Sequence, residues 1–181
     1  MGERALAPGE WAVLALLTER PSHGWALSNE LGREGQLGSI WSLGRPLVYR
    51  SIEILADRGL VAPAAREPGT RGPSRVVYHA TPAGKSALYD WLLEPVEHVR
   101  DVRSMLLLKL VFAERTGIDP EPMLHAQRHA LVAAVDSLEQ KVRASTSTDR
   151  ILLRFRLEST RAVLRFVDGV LAESAPQATA V

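Results

Sequence analysis

A mainly α-helical chain with one small β-hairpin is the fold class this sequence predicts, and three observations predict it. Proline and glycine cut the first part of the chain into short helical patterns. Between them, two short apolar runs flank the Gly/Pro-rich stretch REPGTRGPSR at 66–75, which reads as a hairpin with a long tip. From Val99 onward, long helical periodicities take over.

The elements follow in order. Pro8 suits a first helical position, and Val13, Leu14, Leu16 and Leu17 form the apolar stripe of a first helix that Pro21 ends. Ser22 is placed to cap a second helix carrying Trp25, Leu27 and Leu31, which gives way at Gly32. A third helix fits PLVYRSIEILADRGL, with Pro46 in its first turn and Gly59 at its C-terminal cap. Val48, Ile52 and Leu55 share its buried face, while Tyr49, Arg50, Glu53 and Asp57 fall on the other. The hairpin comes next, and Thr81-Pro82 then starts a fourth helix.

Helix, helix, helix, basic hairpin, helix is the order of a winged helix-turn-helix head. The spans expected are 1–84 for the head, 85–98 for a linking helix, 99–173 for a helical C-terminal dimerisation domain and 174–181 for a disordered tail.

Composition excludes several classes. The 181 residues are 46% apolar and 24% charged, so the chain can bury a core. With no cysteine there is no disulfide scaffold, thiol nucleophile or Cys-zinc site. No apolar run reaches the roughly 18 residues of a membrane span, so no membrane partner is expected. The opening MGERALAPGEW lacks a signal-peptide pattern, and Leu6 stands where a myristoylation motif wants Ser or Thr. The expected compartment is the cytoplasm.

Net charge is only +1, but from Arg45 to Ala80 six arginines face three acids, a local excess of +3. A tyrosine and arginines on the first exposed turn of a third helix, followed by arginines on a hairpin, match how a recognition helix and wing meet base edges and phosphates.

The residues also carry a family resemblance. ALLTERPSHGWAL, WSLGRPLVYRSIEILADRGLV and GPSRVVYHATPAGKSAL together resemble the PadR family of bacterial transcriptional regulators. The most specific pieces are Pro21, His23, Gly24, Trp25 and Leu27 at the entry to the second helix, Val48-Tyr49 in the third, and Arg58-Gly59-Leu60-Val61. The run from Gly72-Pro73-Ser74-Arg75 to Tyr78, Thr81 and Gly84 completes the match. The resemblance implies DNA contacts by Tyr49, Arg71 and Arg75. One departure is Pro46-Leu47, where the family usually has a Gly-Thr pair, which removes a small polar phosphate contact. From helix, wing and family together, the expected DNA contacts are Arg45, Tyr49, Arg50, Arg66, Arg71, Ser74 and Arg75.

In the C-terminal part, Thr116-Gly117 stops one helix and Asp119-Pro120 starts another. There Leu124, Leu131, Val135, Leu138 and Val142 follow the alternating spacing of a coiled-coil seam interrupted by Arg128. Asp149 caps a last helix in which Leu152, Phe155, Ala162, Val163, Phe166 and Val170 make an apolar face. Such helices either fold back into the chain's own core or pair with a second copy. The expectation is a homodimer through Leu124, Leu131, Val135, Leu138, Leu152, Phe155 and Phe166, since a symmetric operator asks for two heads. The resemblance also implies a C-terminal dimerisation region.

Catalytic chemistry is not in evidence. His125 and His129 share a helix face one turn after Glu121, but the glutamate of H-E-x-x-H is missing, so they read as solvated or interface residues. GREGQLG lacks the Lys-Ser/Thr of a phosphate loop, and no G-x-S-x-G occurs. His23 and His79 read as structural hydrogen-bonding residues. The chain is expected to be no enzyme and to need no cofactor or metal. Trp11, Trp25 and Trp91 are core aromatics or, alternatively, a stacking site for a small aromatic effector.

The reading is a sequence-specific, ligand-responsive repressor that binds a double-stranded inverted-repeat operator as a homodimer. The alternatives are a helical protein-interaction adaptor built on the same head, and a small-molecule carrier.

Overall fold

A computed structural model describes residues 4–67, 74–146 and 148–174. Two units divide the chain: one holds the residues up to Leu92 together with Arg103–Ile118, the other Leu93–Val102 and the chain from Asp119 on.

The first unit opens with α1 (Pro8–Glu19), which is apolar almost all round and so goes wholly inside: Ala12, Val13, Leu14, Ala15 and Leu17 are all buried. Two-residue β1 (Ser22–His23) leads into α2 (Gly24–Glu30), and turns connect that to α3 (Arg45–Asp57). α3 buries Val48, Ile52 and Leu55, as its spacing predicts. It ends where Gly59, at φ 68°, takes the left-handed conformation that lets Leu60 N–H reach the Leu55 carbonyl at 2.9 Å.

β2 (Val61–Glu67) and β3 (Arg75–Ala80) form the expected hairpin, and β1 adds a third strand in the antiparallel order β1-β3-β2. Pro63 is tolerated because β2 is an edge strand, and the register slips by one residue between Pro63 and Ala65. α4 (Pro82–Leu93) starts as its sequence signals, with the Gly84 N–H donating to Thr81 Oγ1 at 3.1 Å.

The boundary between units differs from the one expected at 98/99. α5 (Val102–Thr116) belongs almost entirely to the head, where Leu108 and Phe112 are fully buried in the core cluster formed by α1, α3 and α4. Helical texture in the sequence does not say which core such an apolar run fills. Arg115 fastens α5 to the head through Glu19 of α1 at 2.8 Å and Glu30 of α2 at 3.3 Å. Lys109, 2% exposed, donates from Nζ to the Trp91 carbonyl oxygen and lies over the Trp91 ring.

In the second unit, α6 (Glu121–Ala144) and α7 (Thr148–Ser174) pack along each other, preceded by a short 3-10 turn at Val99–Asp101. Buried Gln127 holds Val96 by both backbone groups, accepting its N–H at 2.6 Å and donating to its carbonyl at 3.1 Å. Asp149 lies inside the first turn of α7 rather than capping it. Among the described residues no helix is long and apolar enough to cross a membrane.

The start of α1 depends on Glu10, whose carboxylate accepts the Ala7 N–H at 2.8 Å and pairs with Arg4. Burial alone would raise that carboxyl, but the bonds from Arg4 and Ala7, with the charges of Arg4 and Arg58, outweigh it and hold it below the usual range. A lowered folded-state pKa contributes stability above the unfolded value, about 4.3, and that stability is lost as pH falls through the folded value. Glu10→Gln is therefore expected to lower unfolding free energy by about 1 kcal/mol at neutral pH, with the difference closing below about pH 4. Urea unfolding at both pH values checks this.

Candidate nucleic-acid interface

The candidate surface is built where β1 turns into α2, beside the start of α3 and the start of β3. Ser22 and His23 pair with Tyr78 and Val77 of β3, which keeps the backbone extended through His23. The imidazole then turns back, and Nδ1 accepts the Ala26 N–H at 3.1 Å. His23, rather than the expected Ser22, is thus the N-cap of α2, because strand pairing holds Ser22 one residue too early.

Burial of Val48, Ile52 and Leu55 turns Arg45, Tyr49 and Arg50 of α3 to solvent. Tyr49 lies across the start of α2: a Cβ on Gly24 would come within 2.7 Å of the Tyr49 ring. Only glycine at position 24 lets the phenol occupy this place. From the third side β3 supplies Arg75, whose guanidinium stands 5.4 Å from the centroid of Trp25, a side chain 44% exposed.

These groups line an open recess of about 580 Å³, and among the described residues none of its lining side chains is acidic. Of the expected DNA contacts, Arg45, Tyr49, Ser74 and Arg75 line it together. Arg50 is exposed on α3 outside it. Arg66 pairs in the ladder with Val76, one residue from Arg75, so the pleat sends the two arginines to opposite faces of the hairpin. Arg71 lies outside the described residues. Sequence reasoning assigned His23 and Gly24 only to the helix entry; the Pro21-x-His23-Gly24 run was the available signal.

The remaining candidates separate. Trp11 and Trp91 stack on each other with centroids 4.8 Å apart and planes within 10°. Trp25 is not with them; it belongs to the recess wall. In the second unit Leu124 and Leu131, expected at a dimer interface, are buried within the chain itself. Val135 and Leu138 are half-buried, whereas Leu152, Phe155 and Phe166 are exposed, at 56%, 69% and 40%. The inner face of α7 runs instead through Leu157, Thr160 and Val167. His125 pairs with Glu121 at 3.3 Å, and among the described residues no group of three or more His, Cys, Asp or Glu could hold a metal ion. Among the described residues, His79 Nδ1 is buried with no hydrogen-bond partner.

Residues 13–90 match the model of the transcriptional regulator PadR-like family. The chain is 27% identical over 103 residues to the "Negative transcriptional regulator PadR" of Bacillus subtilis, covering 57% of this chain and 55% of that one. It is 27% identical over 97 residues to the "Probable transcriptional regulator Rv1176c" of Mycobacterium tuberculosis, covering 53% and 49%. The chain thus spans about half the length of the curated relatives it matches. Among solved structures, Bacillus subtilis PadR in complex with operator DNA is similar at a TM-score of 0.46 and 20% identity, over 90% of this chain and 97% of that one. The family and these relatives are transcriptional regulators, not enzymes.

The Gly24–Tyr49 contact makes a stability prediction. Gly24→Ala should cost about 1–3 kcal/mol through overpacking. In a Tyr49→Ala background the same change should cost little, because the ring it meets is gone. A double-mutant cycle by chemical denaturation measures the difference.

Proposed function

We propose, from the match of residues 13–90 to the transcriptional regulator PadR-like family, that the chain is a transcriptional regulator that binds duplex DNA. The observation that carries this reading is the recess in which Arg45, Tyr49 and Arg75 converge from α3 and β3. α3 enters the major groove by its N-terminal turn, where Arg45, Tyr49 and Arg50 are all exposed. Tyr49 reaches a phosphate or a thymine methyl, and Arg50 is free of the recess to read a base edge. The hairpin follows the flanking backbone, with Arg75 on one of its faces and Arg66 on the other.

The finer reading is a cytoplasmic homodimeric repressor on an inverted repeat. Exposed Leu152, Phe155 and Phe166 on α7, together with Ile151 at 76%, support a second copy as the cover for this face. Repression is supported by the description of the Bacillus subtilis relative as a negative regulator, and follows physically if the bound dimer occludes a promoter. For ligand response the candidate site is the Trp11–Trp91 stack, where Trp91 is 5% exposed beneath the Lys109 ammonium, so a small aromatic effector would bind by opening that packing. Trp25 serves the DNA face in this reading.

Fluorescence anisotropy against duplexes tiled across the protein's own promoter region tests it. Saturable binding to one inverted repeat, about a thousandfold or more above scrambled competitor, is expected. Arg50→Ala should relax preference at one base position, while Arg75→Ala weakens all duplexes alike. Uniform weak binding that vanishes with salt would count against the reading. It would point instead to an adaptor with a sticky basic surface.

A further inference from the structure

Two nitrogen atoms in the recess stand in an arrangement that the fold itself does not resolve. His23 Nε2 and Arg75 Nη1 are 3.5 Å apart. The opposite ring nitrogen, Nδ1, takes the Ala26 N–H, and a backbone amide can only donate. Nδ1 therefore carries a lone pair and no proton, which leaves the ring neutral with its proton on Nε2. A guanidinium has no acceptor either. The Nε2–H and the Arg75 N–H are two donors side by side, and the contact between them is not a hydrogen bond. What fits such a pair is one shared anionic oxygen.

The surroundings point the same way. Trp25 lies beside both groups, 5.4 Å from the Arg75 guanidinium carbon and 6.1 Å from the His23 ring centre, and keeps the arginine over the recess. Tyr49 and Arg45 add donors from α3, Ser74 adds a hydroxyl, and among the described lining residues there is no carboxylate. The cap also fixes the ring: rotating Nε2–H away would sacrifice the bond to Ala26.

We propose that His23, as the neutral Nε2–H tautomer, is a DNA-backbone ligand that shares one phosphodiester oxygen with Arg75. This rests on the duplex-DNA reading above and adds to it a contact that contributes affinity without charge. The consequence is specific. A cation that neutralises a phosphate releases a counterion and steepens the dependence of log K on log salt by about 0.9, whereas a neutral donor releases none. His23 and Arg75 meet the same oxygen, yet only Arg75 enters the salt slope. The contact is to backbone, so it carries no sequence preference.

The experiment compares the full chain, His23→Asn and Arg75→Ala on one high-affinity duplex and one scrambled duplex, across a salt series at about pH 8, above the ordinary histidine range. Asparagine keeps an N-cap acceptor for the Ala26 N–H but is too short to reach the shared oxygen. His23→Asn is expected to retain helicity and thermal midpoint and to bind both duplexes about tenfold more weakly, with an unchanged salt slope. Arg75→Ala is expected to weaken binding with a slope lower by about 0.9. Unchanged affinity in a folded His23→Asn protein would reduce His23 to a cap and overturn the proposal. A slope lowered as in Arg75→Ala would overturn it too, since His23 would then act as a cation.

Nitrogen-15 spectra of the wild-type imidazole provide a check that needs no variant. Nδ1 should be unprotonated in the free protein, and the Nε2 signal should shift on adding duplex; a proton on Nδ1 contradicts the proposal. If the wild-type chain shows no salt-dependent duplex binding, the regulator reading itself fails and the phosphate assignment goes with it. A failure limited to His23→Asn leaves that reading standing.

Discussion

Burial of Val48, Ile52 and Leu55 orients α3, and through α3 it orients the basic face of the head. The three residues share one side of the helix, so sending them into the core against α1 leaves no choice about where Arg45, Tyr49 and Arg50 point. The helix is then closed at its far end by Gly59, and its start is fixed against α2 by the close approach of Tyr49 to Gly24. β1 completes the frame. By pairing with β3 it brings the entry to α2 beside Arg75, which is how residues far apart in the chain come to share one recess. α5 supports this frame from within, adding Leu108 and Phe112 to the same core.

Arginine side chains converge on the recess with no carboxylate among the described residues of its wall, and two nitrogen donors face each other at 3.5 Å. Elsewhere in the head Arg115 bridges two glutamates, and Glu10 takes both Arg4 and a backbone amide. The two donors of the recess, with no acceptor between them, are the feature that the proposed phosphate contact accounts for.

Much of the fold was legible in the sequence, because its signals are local. The caps at Gly59, Thr81-Pro82 and Gly117, the α3 stripe and the hairpin need only neighbouring residues to act. β1 was missed because two residues carry no periodicity; only the partner strand defines them. The placement of α5 was missed because an apolar helix says that it is buried, not in which core. The same limit applied to Leu124 and Leu131, whose seam spacing is equally compatible with packing inside the chain, where they are found. Within the site, the expected arginines and Tyr49 rested on residue type and exposure, which a sequence shows well. The role of His23 depends on which ring nitrogen is occupied, and that becomes visible only when Ala26 and Arg75 are both in place.

The central claim is that one face of the head, formed by α3, the start of β3 and the β1–α2 entry, meets duplex DNA. Amide hydrogen exchange of the full chain with and without its tightest-binding duplex tests this most directly. The account predicts slowed exchange in segments 22–26, 45–50 and 74–78, with little change along the α6 face that carries His125 and His129. Protection concentrated on α6 and α7, with the three head segments unaffected, would contradict it.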